Sequence, residues 1–150
     1  MPRGLVASHY PVLLDEDADG LVLLTHVGRP DEVLHELGRH EVLFVVQGPH
    51  GYISPGWYDE KPAVPTWNFV VAHLYGTPEI LADDENLCVL EALVDHFEDA
   101  LPPEPRRMRG TLANSEYADR IAVGTVGLRI PITRFVAKSK MSQNRPAETV

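Results

Sequence analysis

The sequence predicts a mainly β protein of the α+β class, an antiparallel β-barrel with helices packed outside it. Three observations predict it. Several stretches are apolar or alternating over strand-like lengths, with Gly, Pro and Asp turns between them. Only two or three windows carry helical spacing. No Gly-rich phosphate loop of either familiar spacing is present, which argues against a parallel dinucleotide-binding fold. There is no internal repeat, low-complexity segment or second domain, so residues 1–150 read as one domain with a polar tail from about residue 139.

Taken in order, Leu5 to Leu14 reads as a strand with a polar centre at Ser8, His9 and Tyr10. Asp15 to Gly20 is an acidic turn ending in glycine, and Leu21 to Val27 is the return strand of a hairpin. Pro30 opens a short helix to Leu37, at the first-turn position where proline's missing N–H costs nothing. Glu41 to Gln47 reads as a buried strand, Val42-Leu43-Phe44-Val45-Val46, and an aromatic loop follows it. Trp67 to Gly76 is a long strand with Trp67, Phe69, Val71, His73 and Tyr75 on one face. Thr77 to Leu81 continues it past a bulge or edge at Pro78.

Asp83 to Leu101 is the clearest helix, because Leu87, Leu90, Val94, Phe97 and Leu101 recur at helical spacing. Asp83 is its expected cap, and Asp84 and Glu85 suit the positive end of the helix dipole. Pro102-Pro103-Glu104-Pro105 ends it. A shorter helix spans Ser115 to Val123, and Gly124 stops it. Val126 to Lys138 reads as one final strand, with Val126, Leu128, Ile130 and Ile132 alternating. The tail from Lys140 is polar and is expected to be ordered by a ligand or a partner.

The totals exclude several classes. At 150 residues and 44% hydrophobic content the chain can bury one real core. No run approaches the ~18 apolar residues of a membrane span, and no apolar signal-peptide core follows Met1. The single cysteine, Cys88, rules out an internal disulfide, suits a reducing cytoplasm and reads as a small core or boundary residue. The net charge of −9 is uneven: residues 1–100 hold 4 Lys+Arg against 18 Asp+Glu, and residues 101–150 hold 9 against 4. The acidic part argues against direct nucleic-acid binding. The basic last third suits an anionic ligand or the acidic face of a second subunit, and a solvated face is the plainer reading.

Two catalytic patterns fail on spacing. His35 and His40 are five apart, which on a helix separates them by ~140°, so they do not form a zinc site and no metal site is expected. Ser54 precedes a proline in no nucleophile-elbow pattern, and no catalytic residue is assigned from such a motif.

The stretch from Gln47 to Asn68 is different. Both tryptophans, Trp57 and Trp67, two tyrosines and four prolines fall in these 22 positions. Flat aromatic surface with a polar tip suits a wall for a planar ligand, and Gly and Pro shape the backbone that approaches it. A wide loop plugged by its own aromatics is the alternative.

Three ordered blocks carry a resemblance. Gln47-Gly48-Pro49-His50 through Ser54-Pro55 with Trp57-Tyr58 is the first, Val64-Pro65-Thr66-Trp67-Asn68-Phe69 the second, and Lys140-Met141-Ser142-Gln143-Asn144-Arg145 the third. Together they resemble the PaiB family, FMN-binding split-barrel proteins called negative transcriptional regulators. The likeness runs from about Ala7 to Pro146. It implies an antiparallel split barrel, an FMN cofactor, and a homodimer holding two FMN at its interface, each touched by both chains. Ser8-His9 falls on the family's Thr-His, and His26-Val27-Gly28-Arg29 on its His-Val-Ala-Arg.

FMN needs donors for a phosphate, hydrogen bonds to the polar edge of its ring, and an apolar or aromatic face. The phosphate side is assigned to Ser8 or His9 with Thr25, His26 and Arg29, provided the hairpin register is roughly symmetric about its turn. The alternative for His9 and His26 is a cross-strand polar pair. Ring-edge donors are Gln47, Thr66, Asn68 and Gln143, and Trp57 or Trp67 covers the ring unless both serve as core packing. In the family arrangement Lys140, Gln143 and Arg145 come from the partner subunit. Three departures from the family stand out. Against the resemblance, an opening helix and first strand are expected to be missing before the position of Leu5, Pro30-Asp31-Glu32 stands for the family's Ala-Asn-Pro after the arginine, and Ser139 for an aromatic residue between the two tail lysines.

The resemblance implies a cytoplasmic, flavin- or redox-linked regulator of transcription. No helix-turn-helix pattern is present, so regulation is expected to be indirect. The second function is a flavin-dependent oxidoreductase using a reduced nicotinamide, with His50 or Tyr58 as proton donor. The third is a flavin-free barrel serving as a structural or interaction partner.

Overall fold

A computed structural model describes residues 4–58, 62–101, 106–108 and 110–145. The expected helix terminator at 102–105 and the last five residues lie outside the described residues. The strands are mostly antiparallel and, among the described residues, lie in two hydrogen-bonded sheets with helices. The chain clusters into two compact units, Met1–Val42 with Gly76–Ile132, and Leu43–Tyr75 with Thr133–Val150. Among the described residues no helix is long and apolar enough to cross a membrane.

The first unit holds the sheet β1-β2-β6-β5. Its strands are β1 (Leu13–Leu14), β2 (Val22–Gly28), β5 (Glu79–Ile80) and β6 (Thr125–Pro131). The β1–β2 hairpin forms around the expected turn, with Leu13 opposite Leu24 and the Asp15 amide donating to the Val22 carbonyl. Residues 5–12 do not extend β1. Pro11 has no N–H to offer a ladder, and the segment is held by side chains instead. Thr25 Oγ1 donates to the Pro11 carbonyl at 2.6 Å, and the Tyr10 hydroxyl donates to Asp31 Oδ2 at 2.8 Å.

The β2–β6 pair builds the core. Residues facing each other across an antiparallel pair share a sheet face, and one face carries Leu23–Ile130, Thr25–Leu128 and Val27–Val126, all buried. The alternation seen in β6 is real, and burying each such aliphatic side chain contributes about 1.5–3 kcal/mol. The other face carries His26 opposite Gly127. Here α2 (Asp83–Glu98) closes on the sheet, and a Cβ on Gly127 would sit 2.9 Å from the Asn86 Cα. Only glycine permits that approach. The short α1 (Arg29–Leu34) has proline in its first turn as expected, and α3 (Leu112–Ala122) is capped by Thr111, whose hydroxyl accepts from the Asn114 amide.

The helix α2 differs from expectation in two ways. Its cap position is Ala82, whose N–H is taken by Glu85 Oε2 at 3.0 Å, and Asp83 is already helical. Its buried stripe is Asn86, Val89 and Leu93. Leu87, Leu90 and Val94 flank the stripe half-buried, while Phe97 is 52% exposed and Cys88 is exposed. A polar residue inside the stripe hides it from a count of apolar positions.

The second unit holds the sheet β3-β4-β7: β3 (Val42–Ile53), β4 (Thr66–Gly76) and β7 (Arg134–Lys140). Three expectations fail here. Residues 42–46 are not buried, since Leu43, Val45 and Val46 are exposed. The strand does not stop at Gln47 but runs through Pro49 to Ile53, which an edge position tolerates because the missing N–H faces no partner. The last strand is two strands. After Pro131 the Ile132 amide donates to the Leu21 carbonyl and the Thr133 amide to the Tyr75 carbonyl, so β6 and β7 join different sheets. Likewise β5 does not continue β4 but pairs with β6, Glu79 opposite Arg129.

Candidate functional site

The candidate residues fall into two groups, one in each unit. In the first, Ser8 and His9 are exposed on the irregular segment and pair with nothing in β2, so the symmetric hairpin register does not reach them. Thr25 is 1% exposed and its hydroxyl hydrogen is engaged by Pro11, inside the fold. His26 is half-buried, and its Nδ1 has no hydrogen-bond partner. Burial pushes its pKa below the ordinary histidine value, so the ring is neutral near pH 7. Arg29 is held by Nε to the Val123 carbonyl at 3.0 Å and by Nη2 to the Thr125 carbonyl and Asp83 Oδ1, at 3.2 and 3.0 Å. The Asp31 carboxylate receives the Tyr10 hydroxyl, and that bond, with burial behind it, raises the tyrosine's pKa.

In the second unit the tail is bound to its own β4. Lys140 Nζ donates to Thr66 Oγ1 at 2.6 Å and Ser142 Oγ donates to Asn68 Oδ1 at 3.0 Å. Gln143 closes a local turn, accepting from the Met141 amide at 2.6 Å and donating to the Ser139 carbonyl at 2.8 Å. Ser142 stands at φ 62, the left-handed region, which lets the chain reverse there. The expectation of a tail ordered by a ligand or partner is therefore replaced, up to Arg145, by order within the chain.

The same unit carries several aromatic rings. His50 stacks on Trp67 with ring centroids 6.1 Å apart and 25° between planes. The Arg145 guanidinium lies 5.8 Å from the centre of the Tyr58 ring. Trp57 is 70% exposed on a short turn whose start is fixed by Ser54 Oγ accepting from the Gly56 amide. Gln47 is exposed on β3. An open hollow of about 570 Å³ beside that turn is lined, among the described residues, by Pro55, Gly56, Pro62 and Ala63, none of which has a polar side chain.

Three side chains escaped the sequence reading. Ser142 is the tail's second anchor. Lys138 lies 5.5 Å from the Phe69 ring centre, and Arg134 lies 3.4 Å from that of Tyr75. The β4–β7 register explains them, since it sets Phe69 opposite Lys140, Val71 opposite Lys138 and Tyr75 opposite Arg134. The signal was present as basic residues alternating along 134–140, but it was merged with the apolar alternation of β6.

The structure is an antiparallel, helix-flanked fold that carries rings, hydroxyls and cations on its β4–β7 unit, and comparison places it in a flavin-binding class. Residues 1–134 match the family described as "Putative FMN-binding domain", and the chain belongs to this family, whose cofactor is FMN. It is 32% identical over 151 residues to protease synthase and sporulation protein PAI 2 of Bacillus subtilis, covering 93% of this chain and 66% of that protein. It is 36% identical over 107 residues to the uncharacterized protein YKL070W of Saccharomyces cerevisiae, covering 66% of this chain and 63% of that one. The chain thus spans slightly less than two thirds of these relatives. Two solved structures share the fold. The FAD and heme binding protein from Mycobacterium smegmatis gives a TM-score of 0.56 at 20% identity, over 91% of this chain and 67% of that one. The flavocytochrome Anf3 from Azotobacter vinelandii gives 0.54 at 15%, over 83% and 52%.

The residues present fit FMN. The β4–β7 unit supplies cations, hydroxyls, an amide and exposed rings, the donor set a phosphorylated planar ligand requires.

Proposed function

We propose that this protein is an FMN-binding, flavin-linked regulator of the PaiB type, acting as a homodimer in a reducing cytoplasm. The observation that carries the reading is the tail clip. Lys140 and Ser142 are tied to Thr66 and Asn68, so two of the three family blocks meet at one place beside Trp67. The chain's residues bind and orient the cofactor, while the flavin, when bound, supplies the redox chemistry. Direct DNA contact is not part of the proposal, because the chain carries a net charge of −9.

Dimerisation is supported by the exposed apolar residues Leu43 and Val45 on β3 and Phe135 and Val136 on β7, both edge strands of their sheet. The primary test is the visible spectrum of the purified protein after FMN is added and the excess removed. Retention near one FMN per chain is expected, and no retained flavin at micromolar protein overturns the reading. Light scattering checks the dimer against the 16.7 kDa chain mass.

A second reading, a flavin-dependent oxidoreductase, is favoured by the His50–Trp67 stack, which sets an imidazole, a group able to donate a proton, beside flat aromatic surface on which a planar ring can lie. Catalytic oxidation of a reduced nicotinamide by the FMN-loaded protein selects it, and absence of turnover selects the binding or sensing role.

A further inference from the structure

We infer that the phosphate of FMN is received in the β4–β7 unit, by Lys140 together with the Thr66 hydroxyl, and not at Arg29. The inference rests on the FMN-binding reading and assigns one end of the ligand within it.

The first argument is the distribution of carboxylates. The chain holds 22 Asp and Glu, yet none occurs among the described residues of the β4–β7 unit. In the other unit cations face carboxylates: Arg29 with Asp83, Arg107 with Asp95 and Arg129 with Asp15, at 3.0, 2.9 and 3.2 Å. A phosphate dianion brought to Arg29 meets the Asp83 carboxylate already on Nη2, and Asp31 two residues along. Repulsion from like charges at that range works against the ligand. The Arg29 Nε and Nη2 also have three acceptors within the fold.

The second argument is the state of Lys140. Its ammonium has three donors, and the acceptor it reaches is a neutral hydroxyl, Thr66 Oγ1 at 2.6 Å. Lys138 and Lys140 alternate onto the same face of β7, about 6.8 Å apart along the strand. Lys138 leans over the Phe69 ring, a contact that keeps its positive charge on that face. Two ammonium groups on one face, with no carboxylate among the described residues of the unit, repel each other, and an anion between them relieves that repulsion. Lys140 donates to a phosphate oxygen as a charge-assisted bond, and the Thr66 hydroxyl, half-buried at the start of β4, turns its own hydrogen to the same group. The Ser142–Asn68 bond holds the tail in place while this happens.

The test compares FMN with riboflavin, which has the same ring and ribityl chain without the phosphate. The full chain is titrated with each and flavin fluorescence is followed, for the wild type, Lys140→Ala, Lys140→Arg and Arg29→Ala. Lys140→Ala is expected to weaken FMN by about tenfold to a hundredfold, the worth of one bond to a charged group, and to leave riboflavin unchanged. Retained riboflavin binding shows that the variant is folded. Lys140→Arg is expected to restore the preference for FMN, and Arg29→Ala to change both ligands by the same factor. Equal losses for FMN and riboflavin in Lys140→Ala, or a selective loss of FMN in Arg29→Ala, overturn the assignment. A wild type that binds both flavins equally also overturns it while leaving flavin binding intact. A wild type that binds neither removes the FMN reading and this inference together.

Discussion

Asn86 Nδ2 donates to Thr125 Oγ1 at 3.0 Å where α2 closes on β6, and the Thr125 hydroxyl in turn donates to the Ala122 carbonyl at 2.8 Å. Asn86 is 2% exposed, so the chain hydrogen-bonds a buried amide to the end of α3 and the start of β6 at once. The contact requires Gly127, whose Cα faces the Asn86 backbone.

Asn86→Ala is expected to cost about 1–3 kcal/mol, from the lost bonds and the space left behind. Gly127→Ala is expected to cost a comparable amount, because the new Cβ meets a Cα and the helix must move off the sheet. Asn86→Ala does not rescue Gly127→Ala, since truncation leaves the clashing Cα in place. Urea unfolding of the two single variants and the double variant checks this. Recovery of stability in the double variant contradicts it.

Arg29 gives a second stability prediction. Its partners are two backbone carbonyls and Asp83, whose side chain is 89% exposed. An exposed ion pair contributes about 0–1 kcal/mol, whereas the carbonyls need a forked donor. Asp83→Ala is therefore expected to change thermal stability little, and Arg29→Lys to lose about 1 kcal/mol despite keeping the charge. A larger loss in Asp83→Ala than in Arg29→Lys reverses the order argued here.

What the sequence made legible follows the physics of each segment. The β1–β2 turn, the proline-led α1 and the glycine-stopped α3 were readable because short-range chemistry decides them. The break between β6 and β7 was not, because the alternation of Val126, Leu128, Ile130 and Ile132 runs straight across it, and only the pairing of Ile132 and Thr133 with different strands reveals it. Pro49 looked like a loop residue, and it is tolerated in β3 because that strand lies at a sheet edge, a fact of topology rather than of sequence. For the candidate site, the family blocks identified Thr66, Asn68 and Lys140, but not that the tail would bond to its own chain. That depends on the register of β4 with β7.

His26 makes stability depend on pH. Its folded pKa lies below the ordinary value of about 6.5, so the unfolded chain binds this proton more readily. Stability is then full above the unfolded value and falls as pH drops through the window down to the depressed folded value. The urea midpoint is expected to be lower at about pH 5.5 than at about pH 7.5, and His26→Gln to flatten that difference. An unchanged slope in His26→Gln assigns the pH dependence elsewhere.

Ser142 tests the tail clip by opposing effects. Its φ of 62 is a strained region for any residue with a Cβ, costing about 1–2 kcal/mol, and glycine removes that cost. Its hydroxyl bond to Asn68 contributes about 0.5–1.5 kcal/mol. Ser142→Gly loses the bond but relieves the strain, so the two terms nearly cancel. Ser142→Ala loses the bond and keeps the strain. Hydrogen exchange at the Arg145 amide, which donates to the Ser142 carbonyl, reports the difference. Exchange is expected to rise clearly in Ser142→Ala and little in Ser142→Gly. Equal acceleration in both variants would mean that the hydroxyl bond alone holds the tail and that the left-handed residue stores no strain worth relieving.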